Sequence, residues 1–174
     1  VNLALVQQTD PEELIDLCLE ALEVLPEGAA FERGAITFYL AQAYQLLHDG
    51  EAATRTLAQA RQLGLAVEGQ SIALAAAGLQ ALYAWDPGDL HAVVKICREA
   101  IAPLIHPTCS INSIAQAGET VHPYACLVYV FLGRVLAEWN QLEEAEPLLV
   151  RGVNLAERIA EPGVQVDGCR DLAR

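Results

Sequence analysis

The chain has a single lysine and only 6% aromatic residues, and its shortage of positive charge excludes several functions. The lysine is Lys95, in the stretch VVKIC, so the sequence contains no GxxxxGK[ST] phosphate loop. The formal net charge is −13, whereas a protein that grips a phosphate backbone needs clustered positive charge. We therefore expect no nucleotide site and no direct nucleic acid contact in these 174 residues.

Long apolar runs and paired cysteines are also missing. Hydrophobic residues make up 53% of the sequence, yet no run approaches the roughly 20 residues of a membrane-spanning helix. No basic segment with a cleavage site is present either. The five cysteines form no CxxC pair and are odd in number, which favours a reducing compartment. We predict a cytoplasmic protein with no membrane contact, and we interpret the start at Val1 without any methionine as an excised piece of a longer protein.

Alanine and leucine, the strongest helix formers, are abundant instead. The first helix has a clear start in Asp10-Pro11-Glu12-Glu13, which supplies an N-cap, a proline at the first helical position and an acid three residues after the cap. Apolar residues then recur at helical spacing, and Gly, Pro or Asp-Gly separates the segments. No strand-like alternation occurs. The pattern predicts an all-α chain with antiparallel helix hairpins over about 30–64, 70–103 and 122–160.

The segment 106–121 shows no helical period and is predicted to be a loop inserted between two hairpins. His106, Cys109 and His122 bracket it, but their spacing fits no standard zinc site and a fourth ligand is missing, so we predict no metal. Each of these histidines precedes a proline, and extended loop backbone explains them more simply. No Ser/His/acid or Cys/His set has motif support. We therefore predict no catalytic residue, no enzyme activity and no cofactor.

A pattern of small and bulky residues recurs in the three hairpins, as in a repeat protein. The packing positions that we align are Ala41, Tyr44 and Ala53, then Tyr83 and Ala92, then Gly133 and Ala145. Two helices approach to 8–10 Å only where small residues meet, which explains Gly133 despite its helix cost of about 1 kcal/mol. In this alignment Gln80 and Glu99 occupy positions where a small residue is expected. The pattern is of the tetratricopeptide type, so we predict that residues 1–174 form one domain, a right-handed superhelix with a concave wall.

A stripe beside the packing positions is predicted to face that wall, counting 100° per residue. Its candidate ligand- or partner-binding residues are Phe38, Gln42, Gln45, Trp85, Arg134 and Glu138, and Ala77, Ala81 and Ala84 are predicted to lie on its floor. Alanines with aromatic, amide and charged groups at the edges suit a small polar ligand or a peptide. Simpler roles remain open: Trp85 and Trp139 would cover hairpin ends, and Arg134 would pair with Glu138 one turn away.

Three phrases of the sequence resemble one family. They are LEALEVLPEGAAFERGAITFYLAQAYQLLHDGEAATRTLAQA (19–60), LGRVLAEWNQLEEAEPLLVRGVNLAE (132–157) and GVQVDGCRDLAR (163–174). In the second phrase the matching positions are Glu138, Asn140, Leu142, Ala145 and Glu146. These phrases resemble the helical-repeat region of the large ATP-binding LuxR-type transcription regulators, the MalT-like family.

The resemblance implies a sensor or coupling region whose attached ATPase and helix-turn-helix domains lie outside this chain. In the maltose-regulator branch the repeat region receives the inducer sugar, so the implied partners are a small inducer and the regulator's other domains. A different possibility is a repeat scaffold that binds a protein segment and no small molecule. Exposed apolar faces on the end hairpins would also allow self-association.

Overall fold

A computed structural model describes residues 10–65, 71–102, 125–158 and 162–173. All of the regular secondary structure in these ranges is helical, so the predicted all-α fold is confirmed there. The described helices are α1 (Pro11–Val24), α2 (Ala30–Leu46), α3 (Gly50–Leu65), α4 (Ser71–Trp85), α5 (Leu90–Ile101), α6 (Cys126–Glu138), α7 (Leu142–Arg158) and α8 (Pro162–Leu172). None of them is long and apolar enough to cross a membrane.

The chain divides into two compact units, residues 1–76 and 77–174. The first contains α1 to α3 and the beginning of α4, and the second contains the rest of α4 and the helices that follow. The inserted loop predicted at 106–121 lies outside the described residues. The superhelix and the single domain over the whole chain therefore stay predictions.

Both ends of α1 in the first unit are capped by side chains. The Asp10 carboxylate accepts a hydrogen bond from the Glu12 backbone N–H at 2.9 Å, and Pro11 follows at the first helical position. At the other end, Arg33 of α2 donates to the carbonyls of Leu22 and Leu25, at 2.8 Å each. These carbonyls lack partners within their own helix, so Arg33 fastens the end of α1 to α2.

The first helix of each hairpin ends at a residue with left-handed backbone. These residues are His48 (φ 60°), Gly88 (φ 82°) and Asn140 (φ 59°). In the first hairpin the N–H of His48 donates to the carbonyl of Gln45 at 2.9 Å, and the next N–H donates to Tyr44 at 3.0 Å. The same two bonds recur at Gly88 and at Asn140. Left-handed residues with this pairing stop a helix by satisfying its last carbonyls.

The residue after each left-handed position starts the second helix. The side chains of Asp49 and Asp89 accept hydrogen bonds from the backbone N–H three residues on, at 2.9 and 3.0 Å. The carbonyls of Asp49, Asp89 and Gln141 each accept from the N–H four residues on. These bonds place Ala53, Val93 and Ala145 at equivalent positions, and all three are buried.

The turns correct the sequence alignment of the middle hairpin by one residue. Tyr83 lies five residues before Gly88, whereas Tyr44 lies four before His48, so aligning the two tyrosines misplaced the helix. We call the alignment of the three hairpins on His48, Gly88 and Asn140 the turn-based register. It replaces Gln80, Tyr83, Ala92 and Glu99 by Ala81, Ala84, Val93 and Ala100. The middle hairpin then carries buried small residues, Ala81 and Ala100, at the expected places. The two apparent departures from the repeat disappear.

Gly133 shows why the repeat needs small residues. A Cβ built on this glycine would lie 2.7 Å from Leu149 Cγ and 3.2 Å from the carbonyl oxygen of Ala145. Real Cβ atoms do not approach other atoms to 2.7 Å, so a side chain on Gly133 would force Leu149 of α7 to shift. The positions seven residues before the other left-handed turns are Ala41 and Ala81, and both are fully buried.

Candidate functional site

The predicted groove residues of the first unit lie on one face of α2. Phe38, Gln42 and Gln45 are half-buried, and they occupy successive turns of the helix. The rings of Phe38 and Tyr39 meet edge to face, with centroids 6.0 Å apart. This face combines aromatic surface with two side-chain amides, each able to donate and accept hydrogen bonds.

Trp85 and Arg134 lie together in the second unit. The Arg134 guanidinium carbon is 4.3 Å from the centroid of the Trp85 ring and 5.5 Å from that of Phe131. The two rings are themselves 6.0 Å apart, at an angle of 51°. A cation over an indole face is favoured electrostatically, so the two aromatic rings fix the position of this side chain.

Arg134 also reaches α8, which the sequence alone did not suggest. Its Nε lies 2.8 Å from Asp171 Oδ2, although the N–H bond is not directed at that oxygen, so the contact is an ion pair without hydrogen-bond geometry. Asp167 lies further off, with 3.8 Å between Arg134 Nη1 and its Oδ2. The Asp171 side chain is only 5% exposed. Arg134 is thus engaged in packing between α6 and α8. Glu138, one turn further along α6, lies at the surface.

Two alanines of the middle hairpin that were predicted to lie on the groove floor are buried instead. Ala77 and Ala81 are fully buried and cannot line an open wall. In the turn-based register Leu82 occupies the position of Gln42 and Arg134, and Trp85 that of Gln45. Trp85 stays a candidate binding residue, because it lies three residues before Gly88, as Gln45 lies three residues before His48. A recognisable signal was present: Asp49 and Asp89 both precede a second helix as N-caps, and aligning them gives the observed register.

Trp139 follows α6 directly and packs against the start of α5. Its ring centroid lies 5.2 Å from that of His91, and 36% of the side chain is exposed. The predicted role of covering a hairpin end agrees with this placement. Trp85, in contrast, supports Arg134.

An open cleft of about 370 Å³ lies along α7, away from the predicted groove residues. It is lined by Glu146, Pro147, Val150, Arg151 and Asn154. The Arg151 guanidinium carbon lies 5.4 Å from the ring centroid of the fully buried Tyr129. Burial raises the pKa of the Tyr129 phenol, and the positive charge of Arg151 opposes this shift only in part. The cleft offers cationic, amide and carboxylate groups beside apolar surface, which suits a polar ligand.

Metal binding finds no support in the described ranges, where no group of three or more His, Cys, Asp or Glu side chains could hold an ion. His106, Cys109 and His122 lie outside those ranges. The described cysteines form no disulfide with one another, and Cys18, Cys97 and Cys126 are buried. Burial raises the pKa of the Cys18 thiol, which disfavours the reactive thiolate.

Comparison with known proteins gives one result. The sequence profile of the MalT-like TPR region matches residues 2–174. No curated protein and no solved structure matches the chain significantly. The match extends over all of the helices described above.

Proposed function

The chain belongs to the MalT-like TPR region family, and from this premise we propose that it senses a ligand or partner for a LuxR/MalT-type transcription regulator. In this proposal it controls attached ATPase and DNA-binding domains, which are not part of this chain, and acts in the cytoplasm. The family match over residues 2–174 is the observation that carries the proposal. The net charge of −13 supports the view that DNA binding belongs to another domain.

We propose one binding surface in each unit: the face of α2 that carries Phe38, Gln42 and Gln45 in the first, and the end of α4 that carries Trp85 in the second. The half-buried amides offer paired donors and acceptors, and the aromatic rings offer flat apolar faces. Such a combination suits a small, uncharged polar molecule such as a sugar, because hydroxyl groups bond to amides while the C–H face of the molecule packs on a ring. In the second unit the Arg134 guanidinium packs on the Trp85 ring and fixes its position.

The test is a screen of sugars and other small metabolites for a rise in the melting temperature. A ligand present at 100 times its Kd stabilises the folded state by about 2.7 kcal/mol, or roughly 5–10 °C for a chain of this size. Gln42→Ala should abolish the shift. Gln62→Ala, a substitution of an exposed glutamine on α3, is the matched control and should preserve it. A screen in which no compound shifts the well-folded protein would contradict small-molecule sensing.

A second candidate function is a scaffold that binds a protein segment and no small molecule. It is favoured by exposed apolar side chains on α1, where Leu17 is 52% and Val24 82% exposed. Crosslinking the chain to the regulator's other domains tests this function. Capture that is lost in Gln42→Ala would assign the partner to the α2 face, whereas capture lost only in Val24→Ser would assign it to α1.

A further inference from the structure

The last described helix, α8, buries little apolar surface. Among residues 163–173 only Gly168 and Asp171 are buried. Val166 is 64% exposed and Leu172 38%. The preceding helix α7, in contrast, buries several leucines, valines and alanines. Since buried apolar area supplies most of the energy that docks a helix, α8 depends more than α7 on its other contacts.

Two close contacts join α8 to other helices of the second unit. At Gly168 a Cβ would lie 2.5 Å from Val153 Cγ2, so the glycine allows a close approach to α7. At Asp171 the carboxylate meets Arg134 of α6 at 2.8 Å. Removing the guanidinium would take away a positive charge beside a buried carboxylate, and this loss shifts the balance from burial of the carboxylate toward its hydration. Undocking α8 provides that hydration.

Arg134 is also in contact with Trp85, which carries the proposed binding surface of the second unit. Its guanidinium lies over Trp85 of α4 on one side and pairs with Asp171 of α8 on the other. The rigid, planar guanidinium therefore links three helices: α6, to which Arg134 belongs, α4 and α8. A shift of the Trp85 ring would therefore change the packing of the guanidinium that pairs with Asp171 of α8.

We propose that the Arg134–Asp171 pair controls whether α8 is docked, and that Trp85 couples the binding surface of the second unit to this pair. In the docked state the two charges neutralise each other. In the undocked state Asp171 is hydrated, while α6 and α7 keep the apolar core between them. The coupling to ligand rests on the proposed function, whereas the control of docking by the ion pair does not.

Hydrogen exchange measured by mass spectrometry on the whole chain, without ligand, tests the ion pair. Arg134→Gln should raise exchange in residues 163–172 by about 100-fold, and Asp171→Asn by at least about tenfold, with residues 126–158 unchanged. Arg134→Lys keeps the charge and should give a smaller rise. Arg170→Gln is the comparison variant: it removes the exposed Arg170–Asp167 pair on the same helix, leaves Arg134 and Asp171 in place, and should change exchange far less than Arg134→Gln.

Gly168→Ala provides an independent variant that acts by steric clash instead of charge. It should also raise exchange in α8, which shows that this helix can detach alone. The proposal is overturned if Gly168→Ala has this effect while Asp171→Asn and Arg134→Gln leave α8 protected. It is equally overturned if the charge variants raise exchange throughout 126–158, because the pair would then only support the core.

Trp85→Ala tests the coupling. The expected result is faster exchange in α8 by several-fold, less than for Arg134→Gln, because the pair remains but loses its aromatic support. Unchanged exchange in α8 would refute the coupling and leave the ion pair as a local device. Because no ligand is used, a failed metabolite screen would bear on the proposed function without affecting these results.

Discussion

At the scale of single residues, three ionisable side chains are kept neutral by burial. Burial raises the pKa of Cys18, Tyr83 and Tyr129; the Asp86 charge adds to the shift at Tyr83, and the Arg151 charge opposes it at Tyr129. A buried group of this kind stays protonated at a pH where the unfolded chain has already lost the proton. The folded state then binds more protons, so its stability falls as the pH rises.

The free energy of unfolding should therefore decrease above pH 9 to 10, the range in which unfolded cysteine and tyrosine ionise. Each group contributes at most about 1.4 kcal/mol per pH unit. Urea denaturation at a series of pH values measures the slope. Tyr129→Phe should flatten the slope above pH 10 and cost about 0.5–1.5 kcal/mol at pH 7, because it also removes the hydrogen bond between the hydroxyl and Arg151. A slope identical to that of the wild type would contradict burial of this phenol.

At the scale of the helices, the turns determine how the hairpins compare with one another. His48 and Asn140 adopt left-handed backbone, which costs a non-glycine residue roughly 1–2 kcal/mol, although asparagine tolerates it better than most. Gly88 adopts the same conformation without that cost. The same turn is thus formed by three different residues.

Exchanging these residues gives opposite effects on stability. His48→Gly should raise the free energy of unfolding by roughly 0.5–1 kcal/mol, because it removes backbone strain that exceeds the added entropy of the unfolded chain. Gly88→Ala should lower it by about 1 kcal/mol. Urea midpoints with an unchanged m-value are the measurement. A loss of stability in His48→Gly would show that the imidazole makes a contact outweighing the strain.

Helices were easier to predict than their register. The apolar periodicity and the cap at Asp10 reflect local chemistry, and they predicted helices that the structure contains. The predicted register of the middle hairpin was wrong because we aligned the bulky residues Tyr44 and Tyr83, whereas the positions of the turns determine the correct alignment. Burial of Tyr129 and the pairing of Arg134 with Asp171 depend on how distant segments meet, and no local pattern in the sequence encodes that.

At the scale of the whole molecule, the 23 acidic residues outnumber the 10 lysines and arginines, which gives a net charge of −13. On α1 the residues Glu12, Glu13, Asp16, Glu20 and Glu23 are all exposed. Like charges at this density repel one another and destabilise the folded state. The repulsion is screened by salt, since the Debye length falls from about 10 Å at 0.1 M to about 3 Å at 1 M.

The melting temperature should accordingly rise by several degrees between 0.05 and 1 M NaCl. Glu20→Gln, which removes one charge from the exposed face of α1, should reduce this rise slightly. Calorimetry at several salt concentrations is the measurement. A melting temperature that falls with salt would mean that attractive ion pairs, such as those around Arg134, outweigh the net repulsion.

The central claim is that all three hairpins share one register, in which a small residue of the first helix occupies the crossing with the second. The middle hairpin gives the sharpest test, because the register predicts a small residue at position 81 and a large apolar residue at position 80. Ala81, which this register places at the crossing, is fully buried. Gln80 takes the position of Leu40 and Leu132, and its Oε1 is buried without a hydrogen-bond partner in the described part of the chain.

The deciding measurement is the free energy of unfolding of two leucine variants. Ala81→Leu should destabilise the protein by about 1–3 kcal/mol, because the crossing has no room for the side chain. Gln80→Leu should leave stability unchanged or raise it by about 1 kcal/mol, because an unsatisfied buried carbonyl is replaced by the residue of the other two hairpins. A tolerated leucine at 81 together with a destabilising one at 80 would contradict the shared register.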